Sequence, residues 1–171
     1  MVTGKSPPQR VPLRLYPAVV NGGFEVDLAG DRKPEYWSAN DSSGKAETGV
    51  VYPLINLDNQ VKRGGARSLR LDPCTAVPGA QVDVFPIGTM LFPETTYRFT
   101  AWVRVPEGSR FALLGPGAQP LTPVGPPDQS GWQRLERIVT SGSQVEKTAL
   151  RLSNTGSTPI WVDHVAASIV Q

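Results

Sequence analysis

Between Thr95 and Pro106 the chain reads TTYRFTAWVRVP, and its side chains fall into two sets. Tyr97, Phe99, Ala101, Val103 and Val105 alternate with Arg98, Thr100, Trp102 and Arg104. A period of two over so many residues, rich in aromatic and β-branched types, predicts a half-buried strand with one face on a core. The other face carries an indole between two guanidiniums. That set offers an apolar ring rimmed by hydrogen-bond donors, which suits contact with a ligand or a neighbouring chain rather than bond-making.

Residue types able to make and break bonds are sparse. His164 is the single histidine, and its sequence neighbours offer no nucleophile for a histidine-based arrangement. Cys74 is the single cysteine, so neither an intrachain disulfide nor a thiolate metal cluster can form. HExxH, GxSxG, a phosphate-binding glycine-rich loop and an EF-hand loop are all absent. The 15 acids would supply some close carboxylate pair by chance in any domain, so they give no specific sign of glycoside hydrolysis. Asn40-Asp41-Ser42 fits a glycosylation sequon that has no meaning without export. The expectation is a protein that is not an enzyme.

The elements that position these residues follow from composition and spacing. A chain of 171 residues makes one domain, or one domain with an arm, and buries roughly 70% of its unfolded surface without needing a disulfide. A net charge of +2 does not mark a nucleic-acid partner. No apolar run is long enough to span a bilayer, which argues against membrane insertion. No export signal is expected in the first residues, because VPLRLYPAVV is broken by Arg14 and Pro17. With 17 Gly and 17 Pro scattered between short apolar runs, the chain reads as strands and turns.

Residues 1–20 form a Pro-rich extended arm, with Pro7, Pro8, Pro12 and Pro17 disfavouring helix, and residues 21–171 form the domain. Strands are expected from Phe24, across Val50–Leu57, from Ser68 to Leu71 and from Gln81 to Phe85. Further strands are expected at Thr95–Val105, Phe111–Leu114, Trp132–Thr140, Thr148–Leu152 and Ile160–Val170, with 39–47 a polar loop. Gly115–Gly131 is long for a plain loop, which suggests a functional or contact role. About eight or nine antiparallel strands without a long helix predict an all-β jelly-roll sandwich.

Four segments then resemble the carbohydrate-binding modules of the family 4/9 and 22 type. They are Asn21-Gly22-Gly23-Phe24-Glu25 with Trp37 following, Gly65 to Leu71, Tyr97 to Val105, and Gly131-Trp132 with Ile160-Trp161-Val162-Asp163. The resemblance runs from about residue 19 to the C-terminus, and it implies the jelly roll. It also implies a structural calcium site to which Glu25 and Asp163 would contribute. Calcium asks for six to eight oxygens. His164 stands where the family commonly has a second aspartate, and the two carboxylates could equally satisfy backbone donors at a seam between strands. No other cofactor is implied.

For sugar binding, the resemblance points to Trp102 as a stacking platform, with Arg98 and Arg104 as flanking donors. Tyr52, Gln81 and Asp83 are candidate neighbours. A loop or another chain covering Trp102 is the alternative. Trp37, Trp132 and Trp161 are expected in the core.

Two roles follow from these residues. The leading expectation is a structural component of a virion, as a phage capsid decoration or tail protein, assembled in the host cytoplasm. Residues 1–20 would then hold it to further copies and to other virion proteins, and VPLRLYPAVV is similar to the openings of some phage tail-region proteins. The alternative is a secreted module that stacks a glycan on its exposed tryptophan. A cell-surface glycan is a partner compatible with both.

Overall fold

A computed structural model describes residues 19–41, 48–77, 80–87, 90–107, 109–115, 119–147 and 150–170. Most of the arm expected over residues 1–20 lies outside them, as does the greater part of the 39–47 loop. The described chain contains strands β1 (Trp37–Asp41), β2 (Ile55–Asp58), β3 (Ser68–Leu71), β4 (Val82–Pro86), β5 (Met90–Leu91) and β6 (Thr96–Arg104). They are followed by β7 (Phe111–Leu114), β8 (Thr122–Pro123), β9 (Gln133–Thr140), β10 (Glu146–Lys147), β11 (Arg151–Asn154) and β12 (Ile160–Ile169). Among the described residues the only helical elements are the single turn α1 (Thr48–Val51) and a 3₁₀ turn over Tyr52–Leu54.

The strands form two main antiparallel sheets. One is four-stranded in the order β1-β4-β11-β7; the other is six-stranded in the order β2-β3-β12-β6-β9-β8. The short strands β5 and β10 pair separately. The inward residues Ala39, Val82, Val84, Leu113 and Leu152 of one sheet meet Leu57, Leu69, Leu71, Phe99, Ala101 and Val162 of the other. None of them is more than 3% exposed, which places a single core between the sheets. This is the expected all-β jelly-roll sandwich.

The opening strand keeps its alternation. Tyr97, Phe99, Ala101 and Val103 are buried, whereas Arg98, Thr100, Trp102 and Arg104 face outward. Val105 lies past the strand's end and is exposed rather than in the core.

Four local departures from the sequence expectation have physical causes. Phe24 starts no strand. Its φ is +59°, its ring packs 5.0 Å from Trp37, and the Asn21 side chain takes the place of a strand partner. Asn21 Nδ2 donates to the carbonyls of Val26 and Glu35, and Asn21 Oδ1 accepts from Val26 N. Val50–Leu57 divides into a helical turn, a 3₁₀ turn containing Pro53 and then β2. Trp37–Asp41, counted in part as loop, is β1, paired in register with β4. Gly115–Gly131 contains β8, which extends the six-stranded sheet.

Gly22 closes the fold. A Cβ there would lie 1.7 Å from the Val165 carbonyl oxygen, so only glycine permits the approach that lets Val165 N donate to Gly22 O at 2.8 Å.

Candidate functional site

The outer face of the six-stranded sheet carries two rows of tryptophan and arginine. Trp161 on β12 lies opposite Arg70 on β3 and Arg104 on β6. Two residues along, Asp163 lies opposite Trp102, and Trp102 opposite Arg134 on β9. Arg70 and Arg104 each place a guanidinium 5.9 Å from the Trp161 ring, and Arg63 places one 4.4 Å from Trp102. Trp161 is therefore not the core residue that the sequence suggests. It is half-buried and outward, while Trp37 and Trp132 are 3% and 2% exposed as expected. The signal that could have found it is its position in IWVD, where Ile160 and Val162 take the core and leave Trp161 outside.

The acids on this face hold the arginines in place. Arg70 pairs with Asp72 (2.7 Å), Arg134 with Glu136 (2.7 Å), Arg98 with Glu136 (3.4 Å) and Arg63 with Asp128 (3.3 Å). Exposed pairs of this kind add little stability, at most about 1 kcal/mol each, so their effect is to fix guanidinium geometry. Asp128 belongs to Gly115–Gly131, so that long segment does reach the outer face, through its ion pair with Arg63.

A loop crosses the face and covers Trp102. Asp163 Oδ2 accepts from the backbone N–H of Arg63 (2.9 Å) and of Gly64 (3.2 Å), and the Glu25 carboxylate accepts from Ala66 N at 3.0–3.1 Å. Gly65, at φ +61°, lies so close that a Cβ would sit 1.8 Å from Glu25 Oε1. The loop thereby delivers Arg63 onto the Trp102 ring, a contact worth about 0.5–1 kcal/mol at a solvated site. Trp102 is thus capped from within the chain. Asp163 is fully buried, and burial pushes its carboxyl above the usual range. The N–H groups of Arg63, Gly64 and His164 and the nearby His164 charge oppose that rise without cancelling it.

This geometry bears on the calcium expectation. The oxygens that Glu25 and Asp163 would offer are engaged by N–H donors, and among the described residues no group of three or more acids, histidines or cysteines is placed to hold a metal. In this structure the two carboxylates anchor a loop at a seam between strands, the arrangement expected as the alternative to a calcium site.

Two recesses open beside the indoles. One, of about 610 Å³, is floored by Trp161 and walled by Arg32, Asn56, Asp58, Arg70 and Asp72 among others. Asp58 fixes the floor: its Oδ2 accepts from Trp161 Nε1 at 2.9 Å and its Oδ1 from the N–H groups of Gln60 and Val61. Burial pushes the Asp58 carboxyl up, but these three hydrogen bonds and the Arg70 charge outweigh it and hold the group below its ordinary value. Lys33 braces the rim, with Nζ donating to Ile55 O at 2.6 Å and Asn56 Oδ1 at 3.1 Å. The second recess, of about 480 Å³, is lined by Arg63, Thr100, Trp102, Arg134, His164 and Ala166.

The expected site therefore divides. Trp102, Arg98 and Arg104 share one face. Asp83 lies on β4 in the opposite sheet, with Gln81 directly before it, and neither neighbours Trp102. Alternation along β4 sends Val82 and Val84 into the core and Asp83 to the far side of the sandwich. There the buried Asp83 carboxylate accepts from the Ser153 hydroxyl and meets Arg151 Nε at 3.4 Å. Tyr52 opens the 3₁₀ turn before β2. His164 meets Asp163 but has no hydroxyl or thiol partner among the described residues, so no nucleophile–base pair forms there.

No protein-family model and no curated protein sequence matches the chain. Solved structures do. The fold is similar to the "enzymatically active domain" of tailspike protein 4 of bacteriophage CBA120, with TM-score 0.58 and 12% identity over 90% of this chain. It is similar to the N-terminal CBM22-1–GH10 region of xylanase 10B of Clostridium thermocellum, with TM-score 0.52 and 11% identity over 91% of this chain. A CBM22-1 xylan-binding domain of Paenibacillus barcinonensis Xyn10C matches with TM-score 0.50 and 12% identity. The sandwich is a carbohydrate-binding-module-like jelly roll. The chain spans 21% of the tailspike chain, 29% of the xylanase chain and 96% of the xylan-binding domain. At these identities the likeness is one of fold.

Proposed function

We propose that this domain binds a saccharide without catalysis, seating it over Trp161. The observation that carries the proposal is the recess in which an outward indole, locked by Asp58, is walled by Arg32, Asn56, Arg70 and Asp72. A sugar ring has an apolar face and an equatorial rim of hydroxyls. An indole takes the former out of water, and mixed amide, carboxylate and guanidinium groups take the latter as both donors and acceptors. Burying on the order of 100 Å² of apolar surface contributes about 2.5 kcal/mol. That a xylan-binding domain shares the fold supports the class of ligand, not its identity.

Glycan-array screening followed by titration tests the proposal. Wild type binds at least one oligosaccharide, and Trp161→Ala weakens that binding by about tenfold to a hundredfold, as expected when some 1.4–2.8 kcal/mol of contact is removed. Failure of wild type to bind any glycan at millimolar concentration, or full retention by Trp161→Ala, contradicts it.

A second reading, to which the sequence leans first, is a virion building block that presents this face to a host surface. The fold likeness to a phage tailspike domain favours it. Residues 1–20 would join the domain to its neighbours there; residues 1–18 lie outside the described structure. Deletion of 1–20 then leaves a folded monomer that fails to enter particles, and unchanged incorporation sinks this reading.

A further inference from the structure

The recess over Trp102 differs in chemistry from the one over Trp161. Arg63, Arg134, His164 and the Thr100 hydroxyl line it, and no carboxylate does. Resting on the saccharide reading above, we propose that it takes an acidic substituent, a carboxylate or sulfate, of the glycan seated on Trp161.

Three observations carry this. First, the two guanidiniums are prepositioned but not spent. Arg63 meets Asp128 through Nε and Arg134 meets Glu136 through Nη2, and each guanidinium has five N–H donors in a fixed fork. Each acid engages one edge of its arginine and fixes it, Asp128 at Arg63 Nε and Glu136 at Arg134 Nη2, which leaves the other N–H groups of each fork to meet an anion in the recess. Secondly, the backbone is distorted at this spot. The β12–β6 register shifts between Asp163 and Ala166, and His164 adopts φ +49°. Bulges of this kind re-aim a side chain. Here Asp163 and His164 both face outward, and the His164 side chain is half exposed against Gly64 at the recess wall. A non-glycine residue in the left-handed region is held there at a cost, and such residues gather at ligand sites. Thirdly, the two indoles are diagonal neighbours across β12 and β6, about 7–8 Å apart at Cα. Both recesses therefore open on the outer face of the same sheet, where one oligosaccharide chain would lie.

The test pairs neutral oligosaccharides with uronate- or sulfate-bearing counterparts on the same array. Titrations use wild type, Arg134→Gln and His164→Gln, each first shown by circular dichroism to be folded. Wild type binds the acidic members about tenfold more tightly, the size of one charge-assisted hydrogen bond, and the ratio of acidic to neutral affinity falls toward one in Arg134→Gln. Added salt lowers the ratio as well. Equal affinity for acidic and neutral glycans overturns this inference and leaves the saccharide reading intact. A preference untouched in both variants removes it from this recess. Binding of no glycan overturns both.

Discussion

At the scale of single residues, Asp58 decides whether the Trp161 indole is held still. It accepts three hydrogen bonds, one of them from that ring. Its folded value lies below the ordinary 3.8, so its ionised form stabilises the fold above that pH, and the contribution is lost as pH falls through the folded value. Asp163 runs the other way: its raised value means that folding disfavours its ionised form relative to the unfolded chain, so this group lowers stability as pH rises above its ordinary value. Asp58→Asn is expected to cost about 1–2 kcal/mol at pH 7, less than that near pH 3, and to weaken glycan binding. Urea unfolding at the two pH values checks this; an equal loss at both would show that the charge of Asp58 contributes nothing.

At the scale of elements, the seam between Gly22, the loop 62–66 and the β12 bulge holds the face together. Gly22→Ala places a methyl against the Val165 carbonyl, a backbone atom that cannot swing aside, and is expected to cost about 1–3 kcal/mol. A melting temperature equal to wild type would show that the seam yields. The same seam accounts for what could be read in advance. Alternation in TTYRFTAWVRVP assigned Tyr97 to Arg104 of β6 to their faces, since a strand has two sides and apolar side chains must take the inner one. It could not say what lies over the outer side, because Arg63 reaches Trp102 from a loop some forty residues away in sequence. Phe24 misled for a related reason. Its apolar neighbours suggest a strand, but a side chain, Asn21, takes over the backbone's hydrogen bonds.

At the scale of the whole molecule, the Gly, Pro and alternation patterns defined a jelly roll, because turns and two-sided strands leave few other ways to bury one core. Gln81 and Asp83 looked like neighbours of Trp102 only because residue type was visible and sheet membership was not; Asp83 falls in the opposite sheet and Gln81 directly before its strand. The loop anchored by Glu25 and Asp163 gives a prediction at this scale. Both carboxylates are met by N–H donors, so the melting temperature in excess EDTA is expected to match that in millimolar calcium within about 1 °C. Calcium acting as a ligand at a hundred times its Kd would instead add about 2.7 kcal/mol, or several degrees.

The most direct measurement of the central claim is a titration followed by the four tryptophan indole N–H signals in a ¹⁵N–¹H NMR spectrum, with the best-binding glycan from the array as probe. Trp161 and Trp102 lie outward, whereas Trp37 and Trp132 are in the core. The predicted result is a saturable shift of the Trp161 signal, with Trp37 and Trp132 unmoved. A glycan that binds while the Trp161 signal stays still would contradict it.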